Sequence, residues 1–424
     1  MPEPVFAPTH TSRRTAVYRW ELLVLLWLAF FFNQADRQIF NVVLPLIKTD
    51  LGLSDAQLGL VASVFVFTIG VFIPVAGVAG DLYNRKTIIC LSLLFWSGAT
   101  LLTGMSSTVM HLILLRSIAV GGGEAFYAPA ANALIGEYHQ KTRALALAIH
   151  QTSLYAGVIL SGFLGAWISE RYGWHVTFYL FGGAGIGLAA VLALRLNSAP
   201  APVRAEGVRE VRKISFLKAS LAHLWGKPTA RLLTLAFAGM VFVNVGYLTW
   251  MPTFLHEKFS LSLSGAGFSS MFYHHAAAFA GVLLGGRLSD RLAQTRPGGR
   301  LLVQAGALLA GVPFIFGMGQ STDLHLTYCF LAGFGLFRGV YDANIYATLF
   351  DVIEPRYRAT AAGFMSMFAF LAGAVSPLLL GSLKPTLGLS DGLSALSGAY
   401  LLGGLCLLAA SRWSLRKDLI APRT

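Results

Sequence analysis

The chain has 424 residues, of which 55% are hydrophobic and only 12% are charged. Soluble domains carry about 25% charged residues, so this composition excludes an ordinary soluble protein and predicts that lipid is the solvent for most of the surface. The net charge of +13 does not indicate nucleic-acid binding, because the Lys and Arg residues are scattered between hydrophobic segments. Three cysteines, all inside apolar segments, exclude a disulfide framework and a zinc site.

Long apolar segments recur along the whole chain. A helix needs roughly 20 apolar residues to cross the hydrocarbon core. The spans that this criterion predicts are 20–47, 57–79, 87–105, 108–134, 144–170, 174–195, 229–256, 264–287, 299–318, 323–350, 358–383 and 390–411. The first is too long for a signal-peptide core and no small-residue cleavage pattern follows it, so we expect it to be retained.

One long non-hydrophobic segment interrupts the series and divides the chain. It predicts a six-helix half over 1–196, a basic linker over 197–228 and a second six-helix half over 229–424. Apolar linker residues recur at helical spacing: Ile214, Leu217, Leu221 and Leu224. This pattern is typical of an amphipathic helix on an anionic membrane surface, and an ordinary solvated connector is the alternative.

The basic residues predict the orientation. Of the 32 Lys and Arg residues, three lie away from the span ends, within the membrane. If the spans alternate in direction, four lie on one side of the membrane, which leaves 25 on the side of the termini and the linker. The positive-inside rule then places both termini and the linker in the cytoplasm of a multi-pass inner-membrane protein.

The two halves carry similar loops. After span 2 the chain has Asp81 followed by Arg85 and Lys86, and after span 8 it has Asp290-Arg291, with 209 positions between the two aspartates. A second pair of similar loops, in which acidic residues precede basic ones, follows spans 4 and 10. Because both pairs of loops occupy equivalent positions in the two halves, they predict a duplicated six-helix unit.

The Gly-x-x-x-Asp loop from Gly77 to Asp81, with its trailing Arg-Lys, resembles the signature of the major facilitator superfamily over essentially the whole chain. Leu82 and Asn84 depart from that signature. The resemblance implies an all-α membrane protein of twelve transmembrane helices in two pseudo-symmetric halves, monomeric and without a cofactor. It also implies a conformational latch, or plain helix caps as the alternative, at these positions: Asp81, Arg85, Lys86, Arg143, Asp290, Arg291 and Arg358.

Within this superfamily, three short motifs resemble the anion:cation symporter branch, and spinster-like lipid transporters share much of them. They are Ala35-Asp36-Arg37 in span 1, Arg116 with Gly123-Glu124-Ala125 in span 4, and Tyr172-Gly173-Trp174 before span 6. In the resembled fold, spans 1, 4, 7 and 10 line a central cavity.

Six acidic or arginine residues lie away from the ends of the predicted spans, toward the bilayer centre: Asp36, Arg37, Arg116, Glu124, Arg338 and Asp342. Each costs about 2.5–3.5 kcal/mol at the bilayer centre, so the set requires pairing or water. The guanidinium fork matches carboxylate and phosphate geometry, so the three arginines are predicted to bind an anionic substrate. A buried acid gains a proton readily, which makes the three acids candidates for proton coupling.

Other residues extend the candidate site. Arg338 and Asp342 are one helical turn apart, so a pair within span 10 is an alternative to a substrate contact. Further candidate substrate contacts are Tyr127, Gln151, Tyr155, Asn244 and Tyr247. His274 and His275 are more typical of hydrogen-bonded packing residues than of proton carriers.

These observations predict a secondary active transporter, in which a small organic anion such as a sugar acid or other carboxylate moves together with protons by alternating access. A spinster-like lysolipid transporter and a non-transporting sensor on the same fold are the alternatives. The chain has no P-loop motif, no H-E-x-x-H motif and no segment for a soluble domain. We therefore expect no enzyme activity, cofactor, metal or nucleic-acid partner.

Overall fold

The structure is a computed structural model in which the regular elements of the described residues are all helices. It describes residues 10–140, 142–197, 210–296 and 298–420. Side chains at 10–16, 78, 81–82, 144 and 210–215 lie outside this description.

In the predicted first half, the described residues form nine α-helices and one π-helical segment. They are α1 (His10–Val42), α2 (Leu44–Leu51), α3 (Asp55–Leu82), α4 (Arg85–Thr103), α5 (Val109–His111), the π-helical segment Leu112–Ala119, α6 (Val120–Ala125), α7 (Tyr127–Tyr138), α8 (Arg143–Tyr172) and α9 (Trp174–Arg195).

A linker helix and the helices of the second half follow. They are α10 (Glu210–Gly226), α11 (Pro228–Phe259), α12 (Leu263–Thr295), α13 (Gly299–Gln320), α14 (Leu324–Asp342), α15 (Ile345–Val352), a 3₁₀ turn (Pro355–Tyr357), α16 (Arg358–Gly373), α17 (Val375–Ala395), α18 (Ser397–Ala409), a second π-helical segment (Ala410–Ser414) and α19 (Leu415–Asp418).

Local sequence fixes several helix ends. Ser54 and Gln57 form a reciprocal capping box at the start of α3, which satisfies backbone N–H groups that have no partner inside the helix. Within α17 the backbone turns at Gly388, where φ is +72°. Glycine adopts this positive φ without a Cβ clash, so the helix kinks there.

Eight stretches of the described residues are long and apolar enough to cross a membrane. One of them runs from Pro355 to Asp418 and contains the kink at Gly388. Helices α1, α12 and α14 do not belong to the eight, and α1 and α14 carry ionisable residues of the candidate site. The multi-pass architecture is thus confirmed, while the full count of twelve stays a prediction.

The linker contains the helix that its apolar spacing predicts. In α10, Leu224 is buried, Leu221 is half-buried and Leu217 is exposed. The rings of Phe216 and His223 pack on Tyr357, so α10 contacts the second half. The side chain of Ile214, the first apolar residue of the predicted spacing, lies outside the described residues.

An equivalent ion pair in each half supports the predicted duplication. Arg85 at the start of α4 pairs with Glu137 of α7, and Arg300 in the first turn of α13 pairs with Asp351 of α15 at 3.1 Å. Arg300 follows Arg85 by 215 positions, and Asp351 follows Glu137 by 214. Both pairs lie on the side of the membrane that carries α10, which we call the linker side.

Contacts between the halves concentrate on the opposite side. The backbone N–H of Leu378 in α17 donates to Ser63 Oγ in α3 at 3.0 Å. Helices α8 and α12 approach so closely that a Cβ on Gly162 would lie 2.9 Å from the carbonyl oxygen of Gly267. Glu170 at the end of α8 accepts a hydrogen bond from the backbone N–H of Leu263 at 2.6 Å. The bundle is therefore closed on the side away from the linker.

Candidate functional site

A central cavity of about 370 Å³ lies between the two halves. Helices α1, α3 and α8 and the π-helical segment line it from the first half, and α11, α12, α14, α15 and α16 line it from the second. Its charged lining residues are Arg37, Arg116, Arg338 and Asp342. The lining thus contains three arginines and one aspartate, and Glu124, the partner of Arg37, lies behind it.

The first-half wall is a cluster of charged residues around Arg37. Its Nε lies 2.6 Å from Glu124 Oε2, and Glu124 is fully buried behind it. Arg116 donates from Nη2 to the backbone carbonyl of Arg37 at 3.2 Å and lies over the rings of Phe65, at 4.0 Å, and Phe40, at 5.1 Å. Glu124 thus holds Arg37 from behind, while Phe65 and Phe40 hold the guanidinium of Arg116.

Asp36 lies behind the cavity wall rather than in it. Its side chain is 1% exposed, and it faces Trp96 and Thr100 of α4. The charges of Glu124 and Arg116 act on it directly. Asp36 therefore belongs to the charged cluster through electrostatics, without touching the cavity space.

The π-helical segment sets the facing of Arg116. Arg116 and Glu124 are eight residues apart, one more than two α-helical turns. The segment Leu112–Ala119 has wider turns with hydrogen bonds to the fifth residue, which take up the extra residue. Arg116 and Glu124 consequently face the same cluster, although the direct partner of Glu124 is Arg37.

The second-half wall carries Arg338 and Asp342 of α14. Arg338 Nε lies 3.4 Å from Asp342 Oδ2, as their spacing predicts, and both residues line the cavity. Arg338 Nη1 donates to Nε2 of the buried His274 at 3.0 Å, so that ring nitrogen must be unprotonated. His275 also lines the cavity, and its Nδ1 donates to the carbonyl of Met271 at 2.9 Å.

The remaining predicted contact residues divide into two groups. Gln151, Tyr155 and Asn244 line the cavity. Tyr127 and Tyr247 are fully buried outside the lining, because their hydroxyls donate to the backbone carbonyls of Leu26 and Ser270. In this conformation the two tyrosines hold neighbouring helices together.

The predicted latch residues lie at helix ends on the linker side. Arg85 pairs with Glu137, and Asp290 accepts from Arg300 at 3.5 Å. Arg358 donates to the carbonyl oxygens of Phe350 and Ile353, which terminate α15. Lys86, Arg143 and Arg291 lie at the ends of α4, α8 and α12, and the side chain of Asp81 lies outside the described residues.

An ion-pair network that the sequence analysis did not single out joins the halves on the opposite side. Asp55 at the start of α3 lies 3.1 Å from Lys384 Nζ in α17 and 2.7 Å from Lys48 Nζ in α2. Lys384 also lies 2.7 Å from Glu257 of α11. We call the Asp55–Lys384 contact the inter-half bridge. The sequence offered no signal for it, because its members are separated by 329 positions.

No group of residues in the described part of the chain could hold a metal ion.

Comparisons with known proteins agree with this architecture. The model of the Major Facilitator Superfamily matches residues 26–377. The chain is 30% identical over 381 residues to protein spinster homolog 1 of Xenopus laevis. The aligned region covers 85% of this chain and 72% of that protein. It is 28% identical over 397 residues to a probable sulfoacetate transporter of Cupriavidus necator. Here the aligned region covers 90% of this chain and 91% of that protein.

A solved structure shares the fold over nearly the full length. It is a bacterial homolog of the human lysosomal transporter Spinster, in an inward-facing and unoccupied conformation. The TM-score is 0.82 at 24% identity, and the match covers 96% of this chain and 99% of that one.

Proposed function

Because the chain belongs to the major facilitator superfamily and is a multi-pass transporter rather than an enzyme, we propose that it carries a small organic anion, such as a sugar acid or other carboxylate, in symport with protons. The observation that carries this proposal is the set of arginines that line the central cavity, namely Arg37, Arg116 and Arg338. One relative is named as a transporter of sulfoacetate, which is itself a small organic anion.

The arginines are placed to bind an anion. The guanidinium groups of Arg37 and Arg116 offer planar, fork-shaped donors that match a carboxylate. Nε and Nη1 of Arg116 find no hydrogen-bond partner among the described residues, although the side chain is nearly fully buried. A buried donor without a partner costs about 1–3 kcal/mol. An anion in the cavity would remove that cost.

The proposed proton coupling rests on Glu124, the partner of Arg37. Glu124 is fully buried and its charge is balanced by Arg37 at 2.6 Å. An anion that draws the Arg37 guanidinium toward the cavity weakens this balance, and a buried carboxylate without a cation favours its neutral form. Anion binding at Arg37 and protonation of Glu124 therefore support each other. Asp36 and Asp342 are the second and third proton candidates, since each lies beside an arginine of the cavity wall.

Alternating access uses the contacts on the two sides. The present conformation is closed on the side away from the linker by the inter-half bridge and the α8–α12 contact. On the linker side, the ion pairs of the described residues join helices of one half. We propose that the latch residues, led by Arg85 and Arg358, bridge the halves when that side closes instead. The division into halves at 1–196 and 229–424 gives the two moving bodies.

The orientation and assembly belong to the same proposal. The excess of basic residues on the linker side supports cytoplasmic termini and an inner-membrane location. The fold completes its cavity from a single chain, which supports a monomer.

A spinster-like lysolipid transporter is the second candidate. Apolar side chains dominate much of the cavity lining, among them Phe65, Phe237 and Phe370. An anionic headgroup on Arg37 with an acyl chain along these rings would fit the same wall.

Binding assays on the purified protein test the proposal. We expect Arg37→Ala to weaken the binding of sugar acids by roughly 10–100-fold, since hydrogen bonds to a charged group contribute about 1.5–3 kcal/mol. Arg171→Ala is the matched control, because Arg171 lies outside the cavity against Trp167. Binding of lysolipids but of no sugar acid or other carboxylate would favour the second candidate.

A further inference from the structure

Two adjacent histidines of α12 differ in what their ring nitrogens contact. Nε2 of His274 accepts a hydrogen bond from Arg338 Nη1 at 3.0 Å. Nδ1 of His275 donates to the backbone carbonyl of Met271 at 2.9 Å. His275 lines the cavity, whereas His274 is 0% exposed and lies behind the lining. The sequence offers no basis for separating these neighbours, but their contacts give them different chemistry.

The contacts of His275 leave its second ring nitrogen available for a proton. A carbonyl oxygen can only accept, so Nδ1 carries the ring hydrogen of neutral His275 and Nε2 is unprotonated. Among the described residues, none forms a hydrogen bond with this Nε2. A proton on Nε2 therefore breaks no hydrogen bond, and it adds a donor to a ring that lines the cavity.

The contacts of His274 oppose protonation. A protonated Nε2 could not accept the hydrogen bond of Arg338, and two cations would then lie 3.0 Å apart. His274 instead holds Arg338 together with Asp342, whose Oδ2 lies 3.4 Å from Arg338 Nε. His274 is thus a positioning residue for this arginine, and His275 is the ring of the two that can titrate without disturbing it.

The charge of Arg338 links an anion in the cavity to a proton on His275. Ionisable side chains on α12 and on helices packed against it surround this ring or line the same cavity, namely His274 of α12, Tyr155 of α8, Tyr247 of α11, Arg37 of α1, and Arg338 and Asp342 of α14. Of these, Arg338 exerts its charge on His275, and one cation disfavours a second nearby. An anion bound to Arg338 offsets that charge, so the anion and the proton favour each other's binding.

We propose, on the basis of the function proposed above, that His275 is a further proton-binding site, which takes up a proton from cavity water at Nε2 when an anion binds to Arg338. Glu124 serves the first half and His275 serves the second, and an arginine of the cavity lining acts on each of them. Both halves then carry a proton site whose occupancy depends on the anion. Anion binding consequently strengthens as the pH falls through the range in which His275 titrates.

Proton uptake during anion binding tests the proposal. Calorimetry in two buffers of different ionisation enthalpy counts the protons bound per anion, independently of transport. The probes are D-glucuronate and sulfoacetate, titrated into the full chain in detergent at about pH 6.5, close to the ordinary pKa of histidine. We expect His275→Gln to take up about one proton fewer per anion than the unchanged protein. The matched control is His325→Gln, an exposed histidine outside the cavity, which should leave the count unchanged.

An unchanged proton count in His275→Gln would overturn the proposal. So would a proton that is lost in Asp342→Asn and kept in His275→Gln, because Asp342 would then be the carrier in the second half.

A second measurement needs no anion and separates this inference from the proposed function. Nitrogen NMR of the histidine-labelled full chain follows the His275 ring, whose signal is identified by its absence in His275→Gln. In Arg338→Gln the opposing charge is gone, so His275 should become protonated at a pH about one unit higher than in the unchanged protein. An unshifted titration would overturn the inference even if both acids bind. Binding of neither acid, together with the expected shift, would count against the organic-anion function and support the link between Arg338 and His275.

Discussion

Removal of the inter-half bridge should shift the protein toward a conformation open on the side away from the linker. In Asp55→Asn, Lys384 loses a carboxylate at 3.1 Å, and the two side chains are only 10% and 12% exposed. Breaking a buried pair costs about 3–5 kcal/mol, while an exposed pair is worth about 0–1 kcal/mol. Because Lys384 keeps Glu257 at 2.7 Å, we expect about 1–2 kcal/mol, or about 5–30-fold in the ratio of the two conformations.

Spin labels on the exposed residues Thr49 and Thr386 report this shift as a distance distribution between the first and second halves, after the native cysteines are replaced. The matched control is Lys48→Gln, which removes the other partner of Asp55 but breaks a contact inside one half. We expect a longer-distance population in Asp55→Asn and little change in the control. An unchanged distribution in Asp55→Asn, or equal shifts in both variants, would refute the role of the bridge.

Three further outcomes follow from single contacts. Arg116→Lys keeps the charge but loses the planar fork, so anion affinity measured by calorimetry should fall about tenfold, and an unchanged affinity would contradict bidentate binding. Gly267→Val places methyl groups against the carbonyl of Gly162, so spin-label distances across α8 and α12 should lengthen, and an unchanged separation would show that the contact is dispensable. Asp418→Ala removes the acceptor for the Thr229 N–H at the start of α11, at 2.8 Å. It should cost about 0.5–2 kcal/mol of stability, and an unchanged thermal midpoint would contradict this.

The fold was predictable because the membrane imposes a strong pattern on the sequence. Apolar stretches of membrane-crossing length located the helices, and the family resemblance carried by the Gly77–Asp81 loop is confirmed by the match over residues 26–377. The division into halves and the assigned site residues stay predictions. The Arg85–Glu137 and Arg300–Asp351 pairs agree with a repeat. The similarity of the two loop sequences, however, indicates Arg291 rather than Arg300 as the counterpart of Arg85.

The candidate site was partly predictable, since ionisable residues within apolar helices are costly and therefore few. That argument found Arg37, Glu124 and Arg338, and the one-turn spacing also predicted the contact of Arg338 with Asp342. It did not predict the pairing of Arg37 with Glu124, because the partners of a side chain on another helix depend on helix rotation. The π-helical turns before Glu124 change that rotation locally and are not visible in hydrophobic periodicity. Tyr127 shows a second difficulty. A polar residue in a span that lines the cavity can face the backbone of a neighbouring helix instead of the cavity, as Tyr127 does.

The inter-half bridge could not be predicted for a different reason. Asp55 begins α3, and Lys384 lies shortly before the kink at Gly388 in α17. Both positions lie just outside the predicted spans 57–79 and 358–383, where charged residues are ordinary and carry no burial signal. Only the packing of α3 against α17 brings them together.

Proton-driven accumulation in liposomes tests the central claim most directly. The protein is reconstituted, an inward proton gradient is imposed, and internal acidification is recorded while organic anions are added one at a time. The account predicts that at least one small organic anion accelerates acidification and that Glu124→Gln abolishes this acceleration. Acidification that Glu124→Gln leaves intact would remove Glu124 from the coupling, and no acidification with any organic anion would contradict proton symport.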